Sequence, residues 1–277
     1  MSPDYDFDRR SNSLIPVDLQ IKDPEFNLSP SRSSSRCPRV SKIHRPLLNY
    51  CSHFVPEFCI QLQRLTDALI VHMFQDYSEW IHLQTTAGGL PANSIGYLAM
   101  LLVRLIAFHD LRNPDVILPS VPATGKHLDA QSLPTRTDRP RMFRWPVPQR
   151  QETQHPSTED YAAFDDRLQA FIQTSKEKGI LVEKGTAFDS LNAYYLNGHE
   201  LFHIHPVDKS LHCMLDPSDS KLLISRGWAE WFGLAGKVGQ GKGTILFYAP
   251  RNDDERNVLQ KVWEASIRFV EGQEKRA

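Results

Sequence analysis

The chain has 277 residues, 40% of them hydrophobic and 23% charged, with a formal net charge of −1. That is soluble globular material, long enough for one sizeable domain or for one domain with a helical partner and a loose tail. So small a charge gives no general reason to expect nucleic acid or an acidic membrane as a partner. Four cysteines (Cys37, Cys51, Cys59 and Cys213) lack any C-x-x-C spacing and point to free thiols in a reducing, cytoplasmic setting. The first residues carry Asp4, Asp6 and Asp8 and no apolar run, unlike a secretory signal.

In chain order, residues 1–45 are rich in Ser, Pro and Arg and too poor in apolar side chains to offset ordering entropy, so a disordered tail is expected. From about Pro56 to Leu83, Phe58, Leu62, Leu65, Leu69 and Met73 recur at helical spacing. Gly88-Gly89-Leu90-Pro91 breaks the pattern, and Asn93 or Ser94 caps a second helix, Ile95 to His109. That helix is apolar almost all round except at Arg104. It falls short of the ~20 residues that span a bilayer, which suits a core helix and leaves peripheral membrane contact through residues 95–109 open. Residues 110–156 are too rich in proline for a long helix or a central strand. Val116, Ile117, Leu118, Trp145 and Val147 suggest an extended arm wrapped on the next domain. Within the arm, Arg150 sits among three glutamines and suits either a carboxylate or carbonyl ligand or hydrogen bonds that tie the arm down.

Residues 157–277 read as one α+β domain. A helix from Tyr161 to Lys178 ends at Gly179; Ile180-Leu181-Val182 starts a strand, and Phe188 to Leu196 makes another. The stretch Asn197 to Leu215 follows, with His199, His203, His205 and His212 among the protein's eleven histidines. Its near-alternation of apolar and polar residues around Pro206-Val207-Asp208-Lys209 reads as a β-hairpin. With an even-length loop, His205 opposes Ser210, His203 opposes His212, Phe202 opposes Cys213 and Ile204 opposes Leu211. Imidazoles then gather on one face and apolar side chains on the other. Glu200 falls on the opposite face by parity, and only a bulge would bring it to the histidines. Pro217 opens a helix that runs to Arg226-Gly227. An irregular Gly-rich loop, Trp228 to Gly243, leads to a strand at residues 244–249, and Asp253 to Glu271 closes the chain as a helix. The order α-β-β-β-α-β-α implies an antiparallel sheet with helices gathered on one side, preceded by a helical segment and Pro-rich arm over 46–156.

The motifs E-L-F-H-I-H-P (200–206), S-L-H (210–212), R-G-W (226–228), F-Y-A-P-R-N (247–252) and E-A-S (264–266) resemble the fungal luciferase family, over roughly residues 157–272. Residues 87–156, with R-Q-x-T-Q at 150–154, resemble it more loosely. The resemblance implies an enzyme: luciferases of this family oxidise an enolised α-pyrone, 3-hydroxyhispidin, with O₂ and without an added organic cofactor. It singles out Glu200, His203, His205, His212, Trp228, Tyr248 and Arg251. Where the family carries G-W-G-x-R-H-P-L, this chain reads Gly227-Trp228-Ala229-Glu230-Trp231-Phe232-Gly233-Leu234. A cationic corner has become aromatic, which points away from light emission and from the pyrone.

Three chemistries can use the histidine face. An imidazole can act as general base on an enol or 1,3-dicarbonyl carbon, with Arg251 or Arg150 holding the oxyanion and no cofactor. His203, His205 and His212 can instead bind a divalent transition metal near Glu200. The domain can also be a non-catalytic binding or scaffold module, its histidines hydrogen-bonded to the backbone and one another. Trp228, Trp231 and Phe232 are candidates for the wall of an apolar ligand pocket, or for packing of the Gly-rich loop. A cyclase that only shapes its substrate suits the aromatic corner. The expected partner is a small polyketide- or terpenoid-like molecule.

Overall fold

The hairpin's two strands occupy the middle of a six-stranded antiparallel sheet, in the order β1-β2-β3-β4-β6-β5. The computed structural model describes residues 45–87, 89–184 and 192–274. The elements are α1 (Arg45–Ala87), α2 (Ser94–Ile106), α3 (Thr158–Ser175), β1 (Leu181–Lys184), β2 (Asn192–Leu196), β3 (His199–Ile204), β4 (Leu211–Met214), α4 (Pro217–Ser225), β5 (Ala229–Trp231), β6 (Thr244–Phe247) and α5 (Asp253–Glu274). The tail expected over residues 1–45 lies, but for its last residue, outside the described residues, as do Phe188 to Leu191 of the second expected strand. The chain divides into two units, Met1–Ile60 and Gln61–Ala277. In the first, Arg45–Ile60 belong to α1; everything below concerns the second.

The ends of α2, α3 and α4 have local causes. Asn93 accepts hydrogen bonds from the backbone of Ile95 and Gly96 to start α2, and Ser157 caps α3 through Asp160. Asp216 caps α4 just ahead of Pro217. α3 stops at Ser175, passes into a 3-10 turn over Lys176–Lys178, and reverses at left-handed Gly179.

The sheet separates two environments. On one face, Phe202 stacks on Trp263 of α5 at 5.5 Å between ring centroids, and Phe171 of α3 lies 5.0 Å from Trp263. These rings belong to one apolar core shared by α3, α4, α5 and the strands. Residues 107–157 hold to α4 and to the sheet by hydrogen bonds, with Leu128 and Leu133 in that same core and Arg150 on the other face beside His205. Asp219, fully buried, accepts the backbone N–H groups of Lys126, His127 and Leu128. Trp228 donates to the Pro134 carbonyl and Trp231 to that of Asn113. At Gly227, φ is +82° and a Cβ would stand 2.0 Å from the Arg136 carbonyl oxygen, so this close crossing of arm and sheet requires glycine.

The sheet departs from expectation at β5. Ala229–Trp231 pairs antiparallel with β6 inside the stretch expected to be an irregular loop. Three residues between Gly227 and Gly233 offer no periodicity to read, and all three are buried, so polar alternation is missing too. The order from α3 onward is α-β-β-β-β-α-β-β-α, which adds β5 to the expected order and counts the hairpin as two strands. The C-terminal part of α1 packs on α2 through Trp80, Leu83 and Met100, with Trp145 of the arm in the same cluster. α2 exposes its outer face, including Ile95, Leu98, Leu102 and Leu105. No helix among the described residues is long and apolar enough to cross a membrane.

Candidate functional site

The hairpin register is the one the alternation implies. Phe202 pairs with Cys213, His203 with His212 and Ile204 with Leu211. The His205 N–H donates to the Ser210 carbonyl at 2.9 Å, so Pro206–Lys209 form a four-residue loop. Even length keeps the parity, and three imidazoles converge on the face away from α5. Their ring centroids lie 5.4 Å apart for His203–His205, 5.0 Å for His203–His212 and 4.9 Å for His205–His212.

Glu200 joins them through a β-bulge. Tyr194 pairs with Phe202 but Tyr195 with Glu200, so Leu201 is the extra residue and parity inverts before it. Glu200 thereby reaches His203 Nδ1 at 2.5 Å. The bulged carbonyl of Leu201 finds a partner in Ser266 of α5, whose hydroxyl lies 3.2 Å from it and 2.8 Å from the Met214 carbonyl. The E-A-S motif thus supports the bulge from beneath.

A cavity of about 650 Å³ opens over this face, lined among others by Arg150, Glu200, His203, His212 and Phe232. Such a volume suits a small organic ligand. Since the carboxylate of Glu200 only accepts, His203 Nδ1 carries the proton and Nε2 is the nitrogen left for a ligand. Deeper, His205 is completely enclosed and His212 is 6% exposed. Burial holds both imidazoles well below their ordinary pKa; for His205 the charge of Arg150 and the other two histidines adds to this, and for His212 His203 and Arg150 do, against a backbone bond at Ile245. Phe232 covers His212 at 4.4 Å.

The glutamines around Arg150 tie the arm to the sheet. Gln149 donates to Glu230 and to the Trp231 carbonyl, and the Gln151 side chain accepts from the Ala249 N–H. Arg150 itself, 4% exposed, faces the histidines, its Nη1 3.0 Å from His205 Nε2. Burial lowers its pKa to about 10, against the pull of Asp208, so the guanidinium stays charged at neutral pH.

The remaining expected residues lie elsewhere. Trp228 and Trp231 are buried in the core with their indole N–H groups on the arm. Tyr248 is enclosed and donates to Glu230; burial, then the Glu230 charge, pushes its pKa well above the ordinary range. Arg251 is held by Glu255, Asp138 and Gln154. None of the four lines the cavity. Sequence reasoning passed over Asp208, whose carboxylate accepts from Ser210 and from the Gln151 N–H. The signal was present: a loop aspartate two residues before the Ser that opposes His205.

The luciferase-domain family model matches residues 198–266, a span that contains the bulge, the histidine hairpin, β5, β6 and Ser266. Residues 198–266 are similar to a luciferase domain. Over 74 residues the chain is 38% identical to a luciferase of Armillaria mellea and 36% identical to one of Neonothopanus nambi. These alignments cover 26% of this chain and 28% of each luciferase. No solved structure matches the chain. The matched span supplies every histidine of the cluster, while Arg150 comes from the arm outside it.

The ring nitrogens of His203, His205 and His212 lie within 4.8 Å of one another, close enough to hold one metal ion. Neutral imidazoles are the form a metal needs, and a carboxylate behind His203 is a usual orienting partner. Against this, Arg150 stands on Nε2 of His205 and Ser210 on its Nδ1, at 2.8 Å, so a metal would have to displace one of them.

Proposed function

We propose that this chain is a luciferase-family-like tailoring enzyme of fungal secondary metabolism. It acts on a small polyketide- or terpenoid-like molecule and needs no organic cofactor. His203 is the general base: its Nε2 takes a proton from an enol or 1,3-dicarbonyl carbon, and Glu200 holds the ring by Nδ1 and stabilises the imidazolium that forms. The carbanion then reacts with O₂, loses CO₂ or cyclises. The observation that carries this reading is the Glu200–His203 contact beside a cavity of ligand size. A carboxylate behind an imidazole is the usual way to fix its tautomer and raise its basicity. The aromatic cover of Phe232 suits a flat or folded apolar substrate, and a cyclase that shapes its substrate is an allied reading.

The test is metabolite depletion in a fungal extract, comparing wild type with His203→Ala and Glu200→Gln. Wild type should consume a compound that His203→Ala leaves untouched, and Glu200→Gln should slow the loss by about 10²–10⁴-fold, the usual contribution of positioned acid–base groups. Equal depletion by all three proteins would refute the assignment. A second reading, a metal-dependent oxygenase, draws support from the convergence of the three ring nitrogens. Calorimetric titration with Zn²⁺ and Fe²⁺ separates the two. Tight binding at one site, lost in His212→Ala, favours the metal; activity that survives chelation retires it.

A further inference from the structure

Behind the cavity, four polar side chains form a continuous buried chain. Arg150 Nη1 lies 3.0 Å from His205 Nε2, His205 Nδ1 lies 2.8 Å from Ser210 Oγ, and Ser210 Oγ lies 2.9 Å from Asp208 Oδ1. His205 and Ser210 are fully enclosed, and Asp208 and Arg150 are 2% and 4% exposed. Donor chemistry fixes the direction of every bond. Arginine can only donate, so His205 Nε2 accepts and the neutral ring carries its proton on Nδ1. That proton goes to Ser210 Oγ, and the Ser210 proton goes to Asp208. Asp208 also accepts from the backbone N–H groups of Gln151 and Ser210. Both nitrogens of His205 are therefore committed to holding Arg150, unlike those of His203.

We propose that Asp208, Ser210 and His205 position the Arg150 guanidinium at the cavity as a fixed anchor for a carboxylate, and that the domain's ligand is a small apolar monocarboxylic acid. The proposal deepens the reading of the cavity as a substrate site and makes His205 a positioning residue. Arg150 lines the cavity together with apolar Phe232, Leu201, Leu234 and Val147, and with Glu200, His203 and His212 of the hairpin. The guanidinium thus has an apolar wall beside it, while the Glu200 carboxylate is taken up by His203. The counter-charge, Asp208, lies behind the relay and does not line the cavity. A planar guanidinium fixed in this way matches a carboxylate, and in a dry cavity such charge-assisted bonds are at their strongest. Orientation is set before the ligand arrives, which lowers the entropic cost of binding.

The test uses the full chain and two probes of one shape, 2-naphthoate and the uncharged 2-naphthamide, titrated by calorimetry. Wild type should bind naphthoate at least about tenfold more tightly than the amide. Arg150→Met, which keeps the apolar stem, should lose that preference. Ser210→Ala and His205→Gln should narrow it. If Arg150→Met fails to fold, wild type answers alone: phenylglyoxal modification of Arg150, mapped by mass spectrometry, should be slowed by naphthoate and not by the amide. Equal binding of the two probes, binding of neither, or a preference that survives Arg150→Met overturns the proposal. A carboxylate preference retained alongside full turnover in His203→Gln would instead sink the catalytic reading and leave the anchor standing.

Discussion

Acidification should unfold this protein earlier than its carboxylates alone predict, because two buried histidines must stay neutral to remain in place. Burial depresses the folded-state pKa of both His205 and His212, whereas an unfolded-state imidazole titrates near about 6.5. The unfolded chain therefore takes up protons first as pH falls. The stability in question is fully present above about pH 6.5 and lost on descent through that value. Between about pH 7.5 and about pH 5.5 the unfolded-state contribution of one imidazole grows about tenfold, equivalent to about 1.4 kcal/mol, so the pair costs about 2.8 kcal/mol. His127, partly buried and also lowered by its burial, adds a smaller loss of the same sign. Asp208 and Glu230 act oppositely: burial raises both, so protonating them relieves a native-state penalty. A variant cancels these shared contributions. Urea unfolding of wild type and His212→Gln at both pH values should show the variant losing about 1.4 kcal/mol less than wild type over the interval. Equal losses in the two proteins would show that the His212 ring is not held neutral by its surroundings, and the electrostatic account of the cluster would fail.

Three further outcomes follow from particular contacts. Ser266→Ala removes the hydroxyl beneath the bulged Leu201 carbonyl and should cost about 1–3 kcal/mol by chemical denaturation; a neutral result would mean the bulge needs no support from α5. Asp219→Ala strips three arm N–H groups of their acceptor and should cost about 3 kcal/mol, with proteolysis newly opening the arm near Lys126. For the contact expected of residues 95–109, we propose that the outer face of α2 rests on an anionic lipid surface, its apolar row flanked by Arg104 and by Lys237, which donates to the Ile106 carbonyl. Sedimentation with phosphatidylserine-containing vesicles should fall in Leu102→Asp, and equal sedimentation of both proteins would refute it.

Much of the fold and the heart of the site could be read from residues. Near-alternation on either side of Pro206–Lys209, taken with an even-length loop, implies the register that buries Phe202 and Ile204 and brings the imidazoles together. The prolines of the arm were equally plain, since nothing else suits such a segment. What stayed hidden depended on contacts between distant segments. β5 is too short to carry a period, and its burial comes from α4, β6 and the arm together. Glu200 sits by parity on the wrong face, and the bulge that corrects this is stabilised by Ser266, 65 residues further on in sequence. Trp228, Trp231, Tyr248 and Arg251 stood out through family motifs. In the structure those motifs lock the arm to the sheet: Gly227 permits the crossing and the indoles hydrogen-bond it. The relay behind Arg150 needed coordinates, because its members come from the arm, a strand end and a loop.

The division of labour among the histidines, with His203 presented to a ligand and His205 committed to Arg150, is most directly tested by the protonation of their ring nitrogens. Long-range proton–nitrogen NMR on the labelled chain at neutral pH should find the Nδ1 atoms of both His203 and His205 protonated, and the His203 Nε2 resonance alone of the two should shift when a ligand fills the cavity. A proton on Nε2 of His205 would mean that Arg150 does not stand where the account requires it, and neither the relay nor the anchor would survive.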